Sequence, residues 1–333
     1  MTSDVLTSAG GGLACAAGGF VIDPMRPTET SVVTHAHADH ARPGAKVVHC
    51  SEEGALVTRR RVGGAATIVT HAWGEPFRLG DAVVSLHPAG HIRGSAQVRV
   101  EVDGQVWVVS GDYKRESDPT CTPFEVVPCD VFLTEATFAL PIYRWLPTEQ
   151  VVEQVFGWWQ ENAAAGRCSM LFCYALGKAQ RLLAGLRAHT DRPVFAHGAV
   201  APLTDAYRED GVEMLPTLPV GEHKASFAGE LVVAPPSASR TPWMRRFGAM
   251  QTGFASGWMR VRGRRRGRGW DRGFVLSDHA DWPGIVETVT ATGARRVLAH
   301  HGRTDLLVDY LRERGVDAAP LADGRAQRAM EEE

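Results

Sequence analysis

His35-Ala36-His37-Ala38-Asp39-His40 packs three imidazoles and a carboxylate into six consecutive residues. Side chains two apart in an extended chain project to one side, so His35 and His37 can grip one cation together. Asp39 and His40 can face a second cation as the chain turns. Imidazole and carboxylate suit zinc, manganese or iron, and no thiolate lies close enough to make the site purely structural. The intervening alanines leave space for a substrate. More donors follow β-branched runs: Gly90-His91, Ser110-Gly111-Asp112, Ser277-Asp278-His279-Ala280-Asp281 and His300-His301-Gly302. A carboxylate at Asp112 could bridge two ions about 3.5–4 Å apart. Alone, His91 or His279 would read as a satisfied core histidine; beside the six-residue cluster they point to one metal centre.

Strand ends must carry these groups. SVVT at 31–34, VVHC at 47–50, VVSLHPAG at 83–90 and VFLTEAT at 131–137 read as strands. SAQVRVEV and QVWVVSGD flank Asp103-Gly104, which suits a tight hairpin turn. Ser51 reads as the cap of a helix through about 61. From about 145 the pattern changes to alternating helices and strands, which implies a parallel sheet. That stretch opens with a helix capped by Thr148 and stopped by Gly166, and a helix follows near 200–210. RGFVLSDHADW, a helix near 282–292, RRVLAHHG and a helix near 304–314 form a last alternating stretch before a frayed tail.

With 333 residues, 44% hydrophobic and 22% charged, the chain is one large domain or two ordinary ones, and not disordered. No apolar run approaches the ~20 residues of a membrane helix, and MTSDVLTSAGGG lacks the basic and apolar regions of a secretory signal. Six cysteines without a C-x-x-C pair fit a reducing, cytoplasmic compartment. A net charge of −2 excludes a generally basic, nucleic-acid-coating protein. Charge is nevertheless concentrated: arginines 260, 262, 264, 265, 266, 268 and 272 lie between Trp258 and a point just past Trp270. Arg264, Arg265 and Arg266 can pair with phosphates and Trp258 can stack on bases, with a solvated loop as the plain alternative. Lys178, at a helix start, is a further phosphate candidate. Trp158 and Trp159 read as core, Arg59-Arg60-Arg61 as a solvated helix end, and His71 and His87 fall outside every motif.

HAHADH resembles the H-x-H-x-D-H signature of the metallo-β-lactamase fold. Asp23 in FVIDP matches the first motif of that superfamily, and His91 and Asp112 match its third and fourth. The resemblance implies an α/β fold, a four-layer αββα sandwich. Asp112 and His301 stand 189 positions apart, more than a plain hydrolase of this fold needs. With Glu135 in LTEAT, His279 in SDHAD, His301 in AHHG and YALGKAQ at 174–180, the chain resembles the β-CASP nucleases, which carry an inserted α/β domain. With TFALPIYRW and FASGWM it is most similar to the bacterial ligase-associated DNA exonucleases.

The resemblance covers about 15–320 and implies a division into core (1–145), β-CASP insert (146–270), C-terminal core (271–325) and tail (326–333). It implies two divalent ions, zinc or manganese. His35, His37 and His91 would hold one, and Asp39, His40 and His301 the other, with Asp112 bridging and His300 open as an alternative to its neighbour. Asp23 would orient a ligand histidine. His279, supported by Glu135, would protonate or steady the leaving oxygen. The implied activity is exonucleolytic hydrolysis of DNA by a two-metal-activated water, in repair beside an ATP-dependent DNA ligase and a helicase. An RNA-processing β-CASP nuclease is the alternative. A small-ester or thioester hydrolase would need neither the insert nor the arginine run.

Overall fold

The computed structural model describes residues 4–9, 11–222, 225–261 and 269–321. The chain forms two compact units, one from Met1–Arg144 with His279–Glu333 and the other from Trp145–Asp278.

The first unit contains two sheets. In one, β1 (Thr7–Ala9), β2 (Gly12–Cys15), β3 (Phe20–Ile22), β4 (Thr30–Val32), β5 (Val47–Ser51) and β6 (Thr67–His71) lie in chain order. The other contains β7 (Phe77–Leu79), β8 (Ala82–Pro88), β9 (Ala96–Val102), β10 (Gln105–Val109) and β11 (Val131–Glu135). From the chain's last stretch it adds β18 (Arg296–His300) and β19 (Asp317–Pro320), in the order β19-β18-β11-β10-β9-β8-β7. Side chains alternate across a strand, and the two faces of the second sheet bury against different partners. Trp107, Val109, Val131, Leu133 and Leu298 join Leu13, Phe20, Ile22 and Val32 of the first sheet in one core. Val108, Phe132, Val297 and Ala299 point the other way, onto Ile285 and Val289 of α5 (Trp282–Thr292) and Leu307, Val308 and Leu311 of α6 (Thr304–Arg312). The outer face of the first sheet buries Val33 and Val48 against Val62, the last residue of α1 (Ala55–Val62). This is a helix–sheet–sheet–helix sandwich. Burial on both faces explains why VVSL, VWVV and VFL read as continuous apolar runs.

The second unit is a parallel sheet of β12 (Cys168–Phe172), β13 (Val194–Ala196), β14 (Thr217–Pro219), β15 (Leu231–Ala234), β16 (Met250–Ala255) and β17 (Arg272–Phe274), in the order β14-β13-β15-β12-β16-β17. Its helices are α2 (Thr148–Ala164), α3 (Lys178–Leu186) and α4 (Ala201–Glu209). Trp158 and Trp159 of α2 are buried, as the amphipathic pattern predicts.

Three local expectations change. The boundary expected at 270 falls short, because β17 pairs in parallel with β16 and the second unit runs on to Asp278. Ser51 does not cap α1. Gly54 occupies that position, while the Ser51 hydroxyl donates to the Gly94 carbonyl at 2.7 Å and accepts from the Gly54 amide at 3.0 Å. Thr148 is the first residue of α2, and Pro147 precedes it as the flanking residue. The Asp103-Gly104 hairpin forms as expected, with both residues at positive φ (51° and 76°) and Gln105 opposite Val102.

Gly94 and Gly104 separate two uses of glycine. Both have positive φ, but a β-carbon at Gly104 meets open space, whereas one at Gly94 meets the backbone of Gly54 and Glu53. Gly104→Ala is expected to cost about 1–2 kcal/mol, the backbone strain alone. Gly94→Ala adds overpacking and is expected to cost about 3 kcal/mol or more. Denaturant titration of both variants checks the difference; equal losses would remove the close-approach argument.

Candidate metal centre

The first unit gathers its histidines at the ends of strands. The loop after β4 carries His35, His37 and His40, and the loop after β8 carries His91. Asp112 follows β10, Glu135 ends β11, and His300-His301 close β18. The Ser95 hydroxyl accepts the amides of His91 at 3.0 Å and Ile92 at 3.2 Å, which fixes the second of these loops.

His37 Nδ1 lies 3.1 Å from Nε2 of His35 and 3.1 Å from Nε2 of His91. Asp112 Oδ2 is 3.4 Å from the former and 3.8 Å from the latter. One donor atom from each of these four residues lies within 4.8 Å of the others. Tetrahedral coordination with metal–nitrogen bonds of about 2.0–2.1 Å places ligand atoms roughly 3.3 Å apart, so these separations fit a cation. Three converging ring nitrogens cannot all be satisfied by the hydrogens they carry. Burial, then the neighbouring His40, His37, His91 and His279, push the His35 pKa well below its ordinary value. Burial raises Asp112, with His40 opposing. The pocket disfavours a proton on His35 and a bare charge on Asp112, and a divalent ion relieves both.

Behind the donors stands a chain of hydrogen bonds that fixes their tautomers. Asp23, 4% exposed and at φ 47°, accepts the Thr34 amide (2.8 Å) and the Thr34 hydroxyl (2.6 Å). With its hydrogen spent on Asp23, the Thr34 oxygen accepts from His35 Nδ1 at 3.1 Å, which leaves the Nε2 lone pair for a cation. His40 Nδ1 donates to Asp23 at 2.7 Å. Its Nε2, buried without a hydrogen bond, lies 3.5 Å from Asp39 Oδ2 and 3.6 Å from Asp112 Oδ2. Burial opposes charge on His40, but Asp39, Asp112 and Asp23 outweigh it and hold the ring up at about 10.

Asp39 and His301 complete this looser half. The Asp39 side chain is 54% exposed, and the His301 ring stacks on His40 with centroids 5.7 Å apart. Neither belongs to a tight donor group. Of the two adjacent histidines, His301 stacks its ring on His40, and His300 lines a small cavity with Asp23, His40, Leu13 and Ile22.

Asp112, Glu135 and His279 also lie within donor distance of one another. His279 Nδ1 sits 3.0 and 2.9 Å from the two oxygens of Glu135, which is itself fully buried and accepts the Tyr113 amide at 2.8 Å. Those are hydrogen-bond distances, at which the His279 N–H donates to the Glu135 carboxylate. The two carboxylates thus have separate roles, Asp112 toward the imidazole cluster and Glu135 toward His279.

The nucleic-acid candidates fare differently. Arg264, Arg265 and Arg266 lie outside the described residues. Lys178 begins α3 as expected, but it is 2% exposed and its Nζ lies 3.2 Å from Asp278 Oδ2, so it is an internal ion-pair partner and not a phosphate contact. Arg181 joins from the next turn, 2.9 Å from Asp278 Oδ1. Trp258 packs half-buried against the core of the second unit. Outside the cluster, His87 pairs with Ser85 at 3.0 Å. His71 lies 2.9 Å from His49 Nδ1 and stacks on Phe77. Thr34 is the functional residue the motifs did not supply. Its one signal is a hydroxyl at the end of a β-branched run, directly before a ligand histidine.

Thr34→Val keeps the side-chain shape and deletes the hydroxyl. It is expected to weaken metal affinity about tenfold or more and to cost about 1–3 kcal/mol of stability. Chelator competition and denaturant titration measure the two effects, and unchanged affinity would remove Thr34 from the centre. Burial, then His71, holds His49 down at about 4. Between pH 6.5 and 4 the unfolded chain takes up a proton that folded His49 refuses, so stability falls as pH drops through that window. About 2 kcal/mol is expected after allowance for screening. Thermal unfolding of His49→Phe should lose one proton's worth of that slope; an unaltered slope would refute the assignment.

No protein-family model matches the chain. It is 32% identical over 92% of its own length to a protein from Opitutus terrae named a probable DNA ligase, of which it spans 30%. An endoribonuclease YSH1 from Yarrowia lipolytica is 32% identical over 32% of the chain and 14% of that relative. An RNase J-like protein from Methanocaldococcus jannaschii is 27% identical over 36% of the chain and 30% of that relative. The chain thus spans under a third of the length of each. A crystal structure of a protein of unknown function from Enterococcus faecalis shares the fold, with a TM-score of 0.55 and 10% identity over 81% of this chain and 74% of that one. Part of the sequence is similar to proteins named as ribonucleases, and nearly all of it to one named as a ligase.

Proposed function

We propose that the chain is a metal-dependent nuclease of the metallo-β-lactamase fold with a β-CASP insert, hydrolysing DNA from an end. The observation that carries this reading is the convergence of His35, His37, His91 and Asp112 beside a second, proton-bearing pair, His279 and Glu135. Phosphodiester hydrolysis can use both halves: a place to hold cations and a group to protonate the leaving oxygen. Relatives named as ribonucleases support the nuclease class. The similarity to a probable DNA ligase over 92% of the chain supports DNA as the polymer and a ligase as the partner in repair. A helicase beside them belongs to the same proposal and rests on the motif resemblance alone.

His35, His37 and His91 would hold one divalent ion, zinc or manganese, and Asp39, His40 and His301 the other, with the Asp112 carboxylate between the two sets. Such ions lower the pKa of water and offset charge developing on the phosphate. Thr34 and Asp23 keep His35 and His40 in the tautomers that present Nε2. Glu135 accepts from Nδ1 of His279, orienting Nε2 to hand a proton to the leaving oxygen. The second reading, an RNA-processing nuclease, draws on the same ribonuclease relatives. Ribose 2′-hydroxyl recognition would distinguish it.

Purified protein with manganese or zinc, incubated with end-labelled single-stranded and duplex DNA and RNA, tests the polymer and the direction together. Mononucleotides released from a DNA end are expected. RNA-only cleavage selects the second reading, and ester hydrolysis without cleavage of any polymer overturns both. Asp112→Ala should abolish turnover and weaken metal uptake. His279→Ala should keep its metal while losing about a hundredfold or more in kcat. Stoichiometric metal loss from His279→Ala would move that residue into the coordination sphere.

A further inference from the structure

Of the three arginines that end α1, two behave as expected. Arg59 and Arg60 are exposed, but Arg61 is half-buried and turns onto the ligand loop. Its Nε donates to the Ala36 carbonyl at 3.0 Å, across 25 residues of sequence. Ala36 is 1% exposed and lies between His35 and His37, so this bond grips the backbone of the cluster itself. Strand β4 has ended at Val32, so the loop lies outside the sheet ladder and its geometry depends on bonds of this kind.

We propose that Arg61 is a positioning residue of the metal centre, tethering the His35–His37 backbone through the Ala36 carbonyl. The inference rests on the metal-dependent reading above. A side chain that supports ligands without touching the ion typically changes metal affinity by 10–100-fold. The same arginine acting only as a helix end would change stability and leave affinity alone.

Arg61→Ala, Arg61→Gln and Arg61→Lys separate the cases when metal affinity, unfolding of the metal-free protein, and kcat and KM on end-labelled DNA are all measured. Arg61→Ala and Arg61→Gln are expected to bind zinc or manganese about tenfold more weakly in chelator competition. Their kcat should fall at nearly constant KM, with metal-free Tm within about 3 °C of the parent. Lysine, whose Nζ reaches the same carbonyl, should restore most of the affinity. Unchanged affinity in Arg61→Ala overturns the proposal. A rise in KM alone, with parental affinity, overturns it in favour of a substrate contact. Loss of metal-free stability in step with affinity in all three variants makes Arg61 a structural residue only. Parent protein that takes up no divalent ion removes the metal-dependent reading itself, a result distinct from failure of Arg61 alone.

Discussion

Asp23 and Thr34 form a short hydrogen-bonded link that decides how two halves of the centre face each other. The carboxylate sits on a strained, left-handed backbone and receives an amide, a hydroxyl and an imidazole. Through Thr34 it fixes the ring of His35; directly, it fixes the ring of His40. One buried acid thus sets the lone-pair direction of a histidine on each side of Asp112. Strain at a non-glycine residue persists only where surrounding bonds over-determine it, and here three short bonds do so. The sandwich serves this link. Strands β3 and β4 lie parallel and adjacent, with Ile22 opposite Val32, which brings the residues just beyond them together.

Much of this was legible from residue types. HAHADH, the two-residue spacing of its histidines and the repeated placement of histidine and aspartate after β-branched runs point to strand ends converging on one cluster that could hold a cation. The Asp-Gly hairpin follows from turn chemistry alone. The roles of Glu135 and His279 were reachable only through resemblance, since 144 residues separate two groups that bond directly. Thr34 carries no motif of its own, and Arg61 reads in the sequence as a solvated helix end. A threonine ending a strand and an arginine ending a helix are ordinary at those positions, and only the fold reveals what they touch.

Lys178 shows how a correct local reading can mislead about function. A lysine at a helix start has the right chemistry for an anion, and α3 does begin there. The anion it meets is Asp278, buried to 1% exposure and shared with Arg181. Position on an element is set by nearby sequence; which carboxylate arrives from 100 residues away is set by topology. Buried pairs of this kind are costly to break from one side, because the remaining charge is left without its partner.

The interruption of the first unit by the second fixes the order in which the centre can be assembled on the ribosome. His35, His37, His91 and Asp112 all precede Trp145, and their loops can fold while the rest of the chain is being made. His279 and β18, the strand that enters the second sheet between β11 and β19, come only after the whole second unit has emerged. A nascent chain therefore holds His35, His37, His91 and Asp112 before it holds His279 and His301.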